Sequence, residues 1–309
     1  MDTDRSYCPV PLKKRRTEVV FNWFRATPAV RNVLMPLIII RRYFIKRKQK
    51  NRRIMRANMF RRINDGKAVF DLPEYKGIYE IGILSDLCWR IMMDGTYEAE
   101  LAELTANTIN PYMDAIDVGA NIGLFTGLMA HTIKKGRFVL SLEPTAGAFK
   151  LLEKNIKRNN IISNVKAYQM AATKKEGSID MNVCVGREEY SSCGTIVHPL
   201  ATGTYFEIHT VKSTTIDILC INEVIEPGFI KIDVEGHEHD VLKGAKHTLL
   251  KYRPAVLLEL SENMLAANGS NSKAVLDYFT KANYQLFNAY YPAKKATPPF
   301  EGTILAIPE

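Results

Sequence analysis

The sequence predicts an α/β fold, with a mostly parallel sheet and helices on both of its faces, and three stretches support this. Asp114–Gly127 has the pattern of a short buried strand, a glycine turn and a helix. Arg137–Leu142 has the pattern of a second strand, and Phe229–Glu238 begins with another before a glycine and a helical pattern. Strands that alternate with helices are typical of βαβ units, in which the strands run parallel.

Length and composition are those of a globular protein with room for an extension. The chain has 309 residues, of which 46% are hydrophobic and 24% charged, enough for one sizeable α/β domain. Its five cysteines form no Cys-x-x-Cys pair, so we expect reduced thiols, a cytoplasmic location and no zinc site. The N-terminus lacks the apolar run and cleavage site of a signal peptide, so none is predicted.

The positive charge is concentrated in the first 67 residues. Residues 1–67 contain 19 Lys/Arg and 4 Asp/Glu, whereas residues 68–309 contain 23 and 29. We therefore predict a basic, partly disordered or helical extension over 1–67 and a folded domain over 68–309. The apolar run Val33–Ile40 is far shorter than the ~20 residues that span a bilayer.

Three interpretations of this extension stay open. Its apolar stripe could pack on the folded domain and leave a solvated charged face. It could instead lie on an anionic membrane surface, which would add peripheral membrane contact to the cytoplasmic location. It could also bind RNA through phosphates, although nucleic acid is the least expected of these partners.

Short elements link the extension to the core. Ala68–Leu72 and Ile78–Ile83 are predicted strands that pair as a hairpin. Glu98–Thr108 is rich in helix formers and is predicted to be a helix.

The remaining elements follow from hydrophobic periodicity. Further helices are predicted at Thr145–Asn160, His237–Leu250 and Ser272–Ala282, and further strands at Val165–Met170 and Arg253–Leu260. Ser178–Val185 and Thr204–Val211 resemble antiparallel additions on either side of a polar loop, Gly186–Gly203, and Ser213–Val224 connects a strand to a helix. Tyr284–Phe287 and Thr303–Ile307 are expected to close the sheet as an antiparallel hairpin.

Three carboxylates stand where predicted strands end: Asp117, Glu143 and Asp233. Ligands of parallel α/β sheets bind outside the carboxyl ends of the strands, so we expect these side chains to share one crevice. Glu143 lies 20 residues past Gly123 and is placed to accept both ribose hydroxyls of a nucleoside. The alternative is a solvated carboxylate at a strand end.

The first strand leads into a loop of small or turn-prone residues, namely Gly119, Ala120, Asn121 and Gly123. Such a loop lets the backbone approach a ligand and places N–H groups of a helix N-terminus beside it. It is not the Gly-x-Gly-x-x-Gly loop of dinucleotide enzymes. The alternative is a tight turn that binds nothing.

Three motifs make the sequence similar to the FkbM family of S-adenosylmethionine-dependent methyltransferases. They are D-V-G-A-N-I-G at Asp117–Gly123, L-E-P at Leu142–Pro144 and K-I-D-V-E-G-H-E at Lys231–Glu238. Smaller matches at Ala171–Ala172, Thr215–Asp217, Leu242–Ala245 and Leu257–Leu260 place the core motifs within residues 97–290.

The resemblance implies a class I methyltransferase, Rossmann-like fold with a mostly parallel seven-stranded sheet. It also implies S-adenosylmethionine as cofactor and transfer of a methyl group to a hydroxyl oxygen. The implied acceptor is a sugar, a glycan or another small molecule.

Individual roles also follow from the resemblance. Asp117 would face the methionine amino group or a bridging water, and Ala172 would form the floor of the adenine pocket. Glu98, in a Tyr-Glu pair that the family commonly has, would lie at the mouth of the site. The alternative for Glu98 is a carboxylate favoured by the helix dipole.

Four residues near the end of the Phe229–Asp233 strand are candidate catalytic groups: Asp233, Glu235, His237 and Glu238. A hydroxyl nucleophile gains from a general base, and histidine titrates in a useful range. Asp233 also counts among the cofactor-binding candidates, whereas Glu235 and Glu238 have structural alternatives such as helix capping. No metal site is predicted, because the set is unlike a closed zinc site, although a divalent cation stays open.

The alternative function is that of an RNA-directed methyltransferase or RNA-binding module that uses the basic extension. The sequence has no Asn/Asp-Pro-Pro-Tyr motif of amine methylation and no recognisable RNA-binding module. Steep salt dependence would distinguish RNA binding from a sugar pocket.

Overall fold

The computed structural model describes residues 62–64, 66–184, 191–193, 206–291 and 294–309. The predictions for the basic extension before residue 62 lie outside these residues, as does most of the loop predicted at 186–203. In the part of the chain that is described, no helix is long and apolar enough to cross a bilayer.

The described elements are numbered in chain order. The strands are β1 (Arg62–Asn64), β2 (Lys67–Leu72), β3 (Gly77–Gly82), β4 (Asp114–Val118), β5 (Val139–Leu142), β6 (Val165–Tyr168), β7 (Ala171–Ala172), β8 (Gly177–Cys184), β9 (Ser192–Cys193), β10 (Phe206–Thr214), β11 (Pro227–Ile232), β12 (Ala255–Leu260), β13 (Tyr284–Asn288) and β14 (Gly302–Pro308). The helices are α1 (Asp86–Asp94), α2 (Ala99–Thr108), α3 (Leu124–Thr132), α4 (Ala146–Arg158), α5 (Ile216–Glu223), α6 (Glu238–Lys243), α7 (Lys246–Tyr252), α8 (Glu262–Ala267) and α9 (Ser272–Lys281).

The main sheet has seven strands in the order β13-β14-β12-β11-β4-β5-β6. The five strands from β12 to β6 are parallel, and β14 runs antiparallel between β12 and β13. The seven-stranded, mostly parallel sheet and its closing hairpin are therefore confirmed. The chain builds outward from β4 to β6 and returns to β11, so the topological switch point lies between β4 and β11, where such folds bind ligands.

Alternate residues of the central strands supply two separate apolar layers, one on each face of the sheet. Ala115 and Phe229 belong to the layer that also holds the β2–β3 hairpin residues Phe70 and Tyr79. Their neighbours, such as Ile116, belong to the opposite layer. Both faces are covered, which explains why these strands have continuous apolar runs.

A second, three-stranded antiparallel sheet is formed by β1, β2 and β3, which confirms the predicted hairpin and extends it back to Arg62. The side chains of Asn155 in α4 and of Asn159, just after that helix, attach it to the core. The Asn155 carboxamide oxygen accepts from the Glu80 N–H at 2.7 Å, and that of Asn159 accepts from the Ile78 N–H at 2.7 Å. The Asn155 amide also donates to the Ile122 carbonyl at 2.9 Å, in the loop before α3.

A third sheet has the order β7-β10-β8-β9, and β8 and β10 are the predicted antiparallel pair. Two predictions need correction here. Ala171–Ala172 is not a simple strand tip but pairs in parallel with β10, and Ser192–Cys193 forms a strand inside the predicted loop.

The single helix predicted at His237–Leu250 is wrong, because two helices, α6 and α7, occupy this range. The break lies at Gly244, which packs against the backbone of Thr173. A Cβ at Gly244 would lie 2.1 Å from the Thr173 carbonyl oxygen, so only glycine allows this approach.

Candidate functional site

A cavity of about 330 Å³ opens at the carboxyl ends of the central parallel strands. Ten of the twelve predicted site residues line it. They are Glu98, Asp117, Gly119, Ala120, Asn121, Glu143, Ala172, Asp233, Glu235 and His237. The strand-end carboxylates therefore share one crevice, as the sequence predicts, and only Gly123 and Glu238 do not line the cavity.

The cavity has two sides that differ in how their carboxylates are held. We call the wall that contains Asp117 and Glu143 the β4–β5 side. The wall that contains Asp233, Glu235 and Glu259, together with Glu98 before α2, is the β11–β12 side.

Gly119 marks the place where the two sides touch. Its φ is 76°, and a Cβ there would lie 1.8 Å from the carbonyl oxygen of Asp233. The N–H groups of Gly119 and Ala120 both donate to the Leu142 carbonyl, at 3.0 and 2.9 Å. These two N–H groups are therefore used within the protein, and at Gly119 the loop allows a close backbone approach.

Gly123 packs helices together rather than lining the cavity. It precedes α3 with a φ of 90°, and a Cβ there would lie 2.6 Å from Leu152 of α4. The structure thus gives the second glycine of the loop a packing role.

Glu143 is 6% exposed and is held by three hydrogen bonds. The N–H and hydroxyl of Thr145 donate to Oε1 at 2.9 and 2.7 Å, and the N–H of Asn121 donates to Oε2 at 2.9 Å. Burial raises the pKa of Glu143, and these hydrogen bonds oppose that effect. Because a carboxylate has about four acceptor positions, Glu143 keeps acceptor capacity for a ribose hydroxyl beside these three bonds.

Asp117 is fully buried, and one of its oxygens has no partner. The Thr126 hydroxyl donates to Oδ2 at 2.6 Å, while Oδ1 has no hydrogen bond among the described residues. Burial raises the pKa of Asp117, and the nearby Lys231 ammonium opposes that rise. An unsatisfied buried carboxylate oxygen is unfavourable, so this atom is suited to an ammonium group of a ligand.

These features fit S-adenosylmethionine, the cofactor that the resemblance implies. Asp117 Oδ1 would hold the methionine amino group, and Glu143 would hold a ribose hydroxyl. Ala172 lines the cavity with Ile179 and Met181 of β8, which gives this end an apolar wall suited to a flat ring. The methyl group of the sulfonium, once bound, is already activated for transfer.

The carboxylates of the β11–β12 side shift one another's titration. The pKa of Glu259 is raised to about 8, mostly by the negative charge of Asp233 and further by burial. The pKa values of Glu98 and Glu235 are also raised, first by burial and second by the charge of Asp233. The rise is larger for Glu235. Glu259 therefore titrates close to the range that a general base needs, and the pKa values of Glu98 and Glu235 are shifted in the same direction.

Two of these acids stand on strained backbone. Glu98 has a φ of 40° and Glu235 a φ of 51°, in the left-handed region that non-glycine residues rarely adopt. Such outliers cluster at functional sites, because the surrounding structure must hold them in place.

Glu238 lies behind the cavity rather than on its wall. It is 2% exposed, its Oε1 accepts from the Gly236 N–H at 2.9 Å, and its Oε2 has no partner among the described residues. Burial raises the pKa of Glu238 to about 7. Of the predicted catalytic set, Asp233, Glu235 and His237 therefore line the cavity and Glu238 does not.

Lys231 and Arg90 also line the cavity and were not predicted as site residues. The Lys231 ammonium donates to Asp233 Oδ2 at 2.9 Å. A charged residue inside the apolar run F-I-K-I was the sequence signal for Lys231. Arg90 comes from α1, whose position depends on packing that the sequence pattern does not reveal.

In the described part of the chain, no three His, Cys, Asp or Glu side chains are grouped so that they could hold a metal ion. The side chains of Cys88, Cys184 and Cys220 are buried.

The chain is similar to several known methyltransferases. It is 26% identical to Methyltransferase 1 of Beauveria bassiana over 147 residues, which cover 42% of this chain and 57% of that protein. It is 24% identical to Methyltransferase sdnD of Sordaria araneosa over 159 residues, 44% of this chain and 60% of that protein. The chain thus spans less than two thirds of the length of these relatives.

Among solved structures, the methyltransferase FkbM of Methylobacillus flagellatus is similar, with 18% identity and a TM-score of 0.41. The similarity covers 63% of this chain and 44% of that one. The Methyltransferase FkbM domain matches residues 117–286, which contain all three motifs and the β4–β5 and β11 strand ends. Because this match covers more than half of its length, the chain belongs to the FkbM methyltransferase domain family.

Proposed function

We propose that this protein is an S-adenosylmethionine-dependent O-methyltransferase that acts on a hydroxyl of a sugar, a glycan or another small molecule. One observation supports this above others. A single cavity joins a side built for the cofactor, with Asp117 and Glu143, to a side rich in carboxylates, where the pKa of Glu259 is raised to about 8. A hydroxyl needs a base for methylation, and this second side supplies candidates.

The chain's own residues would do two things. They would align the acceptor oxygen with the methyl group, since positioning lowers the barrier of a two-substrate reaction. Asp233 would accept the hydroxyl proton or orient the hydroxyl, because it lines the cavity at the junction of the two sides. Glu235 and Glu259 have raised pKa values that favour the protonated form, so they would donate hydrogen bonds that orient the acceptor, and the proton would pass from Asp233 to solvent.

Cofactor binding is the first test. Titration calorimetry with S-adenosylmethionine and S-adenosylhomocysteine should show micromolar affinity for the full chain. Asp117→Asn and Glu143→Gln should weaken it by on the order of tenfold or more, because each removes a charged partner of the ligand. Asp180→Asn, on the exposed part of β8, is the matched control and should leave affinity unchanged.

Acceptor identity is the second test. Formation of S-adenosylhomocysteine would be measured against panels of sugars, glycans and other hydroxylated small molecules, with mass spectrometry to locate the methyl group. Methylation at oxygen supports the proposal, whereas methylation only at nitrogen or carbon overturns its O-specific part. A folded wild-type chain that binds neither cofactor form overturns the whole proposal.

A role for the basic extension is a separate proposal, supported by its 19 Lys/Arg residues alone. We propose peripheral contact with an anionic membrane surface in the cytoplasm. The full chain should co-sediment with phosphatidylserine vesicles at low salt and less at high salt, but not with neutral vesicles. Binding of RNA in preference to these vesicles would favour the RNA-directed alternative instead.

A further inference from the structure

Lys231 is a lysine inside the buried centre of the sheet. Its neighbours on β11, Phe229, Ile230 and Ile232, are at most 1% exposed, and Lys231 itself is 6% exposed. In the described part of the chain, no other lysine or arginine is buried. Burying an ammonium is unfavourable unless opposite charges compensate it, so its position requires an explanation.

Carboxylates face this ammonium from three elements. Asp117 on β4 is the Cα partner of Lys231 in the parallel register, so the two side chains lie on one face of the sheet. Asp233, two residues later, accepts its hydrogen bond at 2.9 Å, and Glu98 before α2 attracts it from a third direction. The ring of Phe125 on α3 lies 4.8 Å from Nζ and adds a cation–π contact.

The balance of these charges keeps Lys231 protonated. Burial lowers the pKa of Lys231, but attraction to Asp233, Asp117 and Glu98 outweighs burial and raises it. The ammonium also opposes the raised pKa values of the β11–β12 side acids Glu235 and Glu259. Lys231 is therefore the buried counter-ion of the carboxylates on both sides of the cavity.

We propose that Lys231 is a positioning residue that holds Asp117 and Asp233 as an ionised pair, one carboxylate for each side of the cavity. The ammonium engages Asp233 through Oδ2, while Asp117 keeps Oδ1 for a ligand cation. In the proposed function, on which this part rests, Asp117 then meets the amino group of the cofactor and Asp233 meets the acceptor hydroxyl. The charge pairing itself does not depend on what the cavity binds.

The chain offers a closely matched control. Lys166 Nζ lies 2.9 Å from Glu223 Oε2 and 4.7 Å from the ring of Phe138, the same kinds of contact that Lys231 makes. It does not line the cavity. Lys231→Met removes the buried charge and Lys231→Arg keeps it. Lys166→Met removes a pair with the same kinds of contact at a partly exposed position.

The first measurement is the melting temperature at pH 5 and pH 8.5, which needs no ligand. Without Lys231, the buried carboxylates have raised pKa values in the folded state, so the folded state loses stability as pH rises. We expect the deficit of Lys231→Met relative to wild type to be about twofold larger at pH 8.5 than at pH 5. Lys231→Arg should show a small deficit, and that of Lys166→Met should be the same at both pH values.

The second measurement is the affinity for S-adenosylhomocysteine across pH. Affinity should fall as pH drops through the pKa of Asp117. The pH at which half of the affinity is lost, the acid limb of the profile, should be higher by about one pH unit or more in Lys231→Met. It should not move in Lys231→Arg or Lys166→Met. A simple packing role would lower affinity without moving the limb.

The two measurements separate the proposals. A wild-type chain that binds no S-adenosylhomocysteine contradicts the proposed function, while the melting temperatures still decide the role of Lys231. A deficit of Lys231→Met that is equal at both pH values overturns the positioning role. If neither Lys231 variant folds at either pH, the strand needs the shape of lysine and not its charge, which also overturns it.

Discussion

The β4–β5 side and the β11–β12 side of the cavity hold carboxylates by different means. Hydrogen bonds within the protein fix Glu143 with three donors and Asp117 with one. On the opposite side, Glu235 and Glu259 are shifted by the charge of Asp233 as well as by burial. The difference shows that one side is fixed by geometry before any ligand arrives, whereas the chemistry of the other is set by charge and changes with pH.

The substitution with the largest expected effect disrupts the contact between the two sides at Gly119. Gly119→Ala should lower the free energy of unfolding by about 3 kcal/mol, from left-handed strain of roughly 1–2 kcal/mol plus overpacking against the Asp233 carbonyl. Gly136→Ala is the control, since Gly136 has a φ of 88° with no atom within 4 Å of a Cβ. It should cost about 1 kcal/mol, from strain alone. Urea unfolding measures both, and equal losses would contradict the close approach.

The next prediction concerns Glu238, which lies behind the β11–β12 side and whose contribution to the free energy of unfolding should depend on pH. Because the pKa of Glu238 is raised to about 7 in the folded state, its contribution is fully present below its unfolded pKa and is lost as pH rises toward 7. The free energy difference between wild type and Glu238→Gln should therefore change by about 2–3 kcal/mol between pH 5 and pH 8, in favour of the variant at high pH. Urea unfolding at both pH values checks this, and a constant difference would contradict it.

A smaller effect is expected on the β4–β5 side, where geometry dominates. Glu143→Gln turns an NH₂ group toward an N–H donor, either that of Asn121 or that of Thr145, and should lower the free energy of unfolding by about 2 kcal/mol. The same denaturation assay measures it. Unchanged stability would mean that these bonds do not hold the carboxylate in solution.

The smallest expected effect is a change in melting temperature from a substitution at Glu259, on the β11–β12 side. Asp233 raises the pKa of Glu259 to about 8, so its ionisation above that pH is unfavourable in the folded state. Glu259→Gln should raise the melting temperature slightly at pH 9 and leave it unchanged at pH 5. Glu176→Gln, at an exposed position just before β8, is the control and should behave like wild type at both pH values. A gain at pH 5 would show that Glu259 acts through something other than charge.

The family, the fold and the cofactor were predictable because motif and topology agree. Buried apolar runs that alternate with helical periodicity specify parallel strands, and the ends of such strands meet. This topology brings Asp117, Glu143 and Asp233 to one crevice. The strand-end residue is a reliable site candidate because its direction follows from the sheet.

Residues beyond the strand ends were harder to place. After Asp233 the chain turns through left-handed Glu235, so period-two alternation no longer tells which side a residue faces, and Glu238 lies behind the wall. Gly123 has the composition of a ligand loop but meets Leu152, a contact that depends on where α4 packs. The break at Gly244 likewise follows from Thr173, 71 residues earlier in the chain.

The Asn155 side chain has a consequence for how far the domain can be shortened. Its one carboxamide bonds the β3 residue Glu80 and the Ile122 carbonyl, although only Ile122 lies within the family-matched residues 117–286. At the other end, β14 supplies the strand between β12 and β13 but begins at Gly302, after that segment ends. We therefore expect that residues 117–286 alone do not fold stably. A fragment cut at these boundaries would expose a sheet edge and lose its hairpin support.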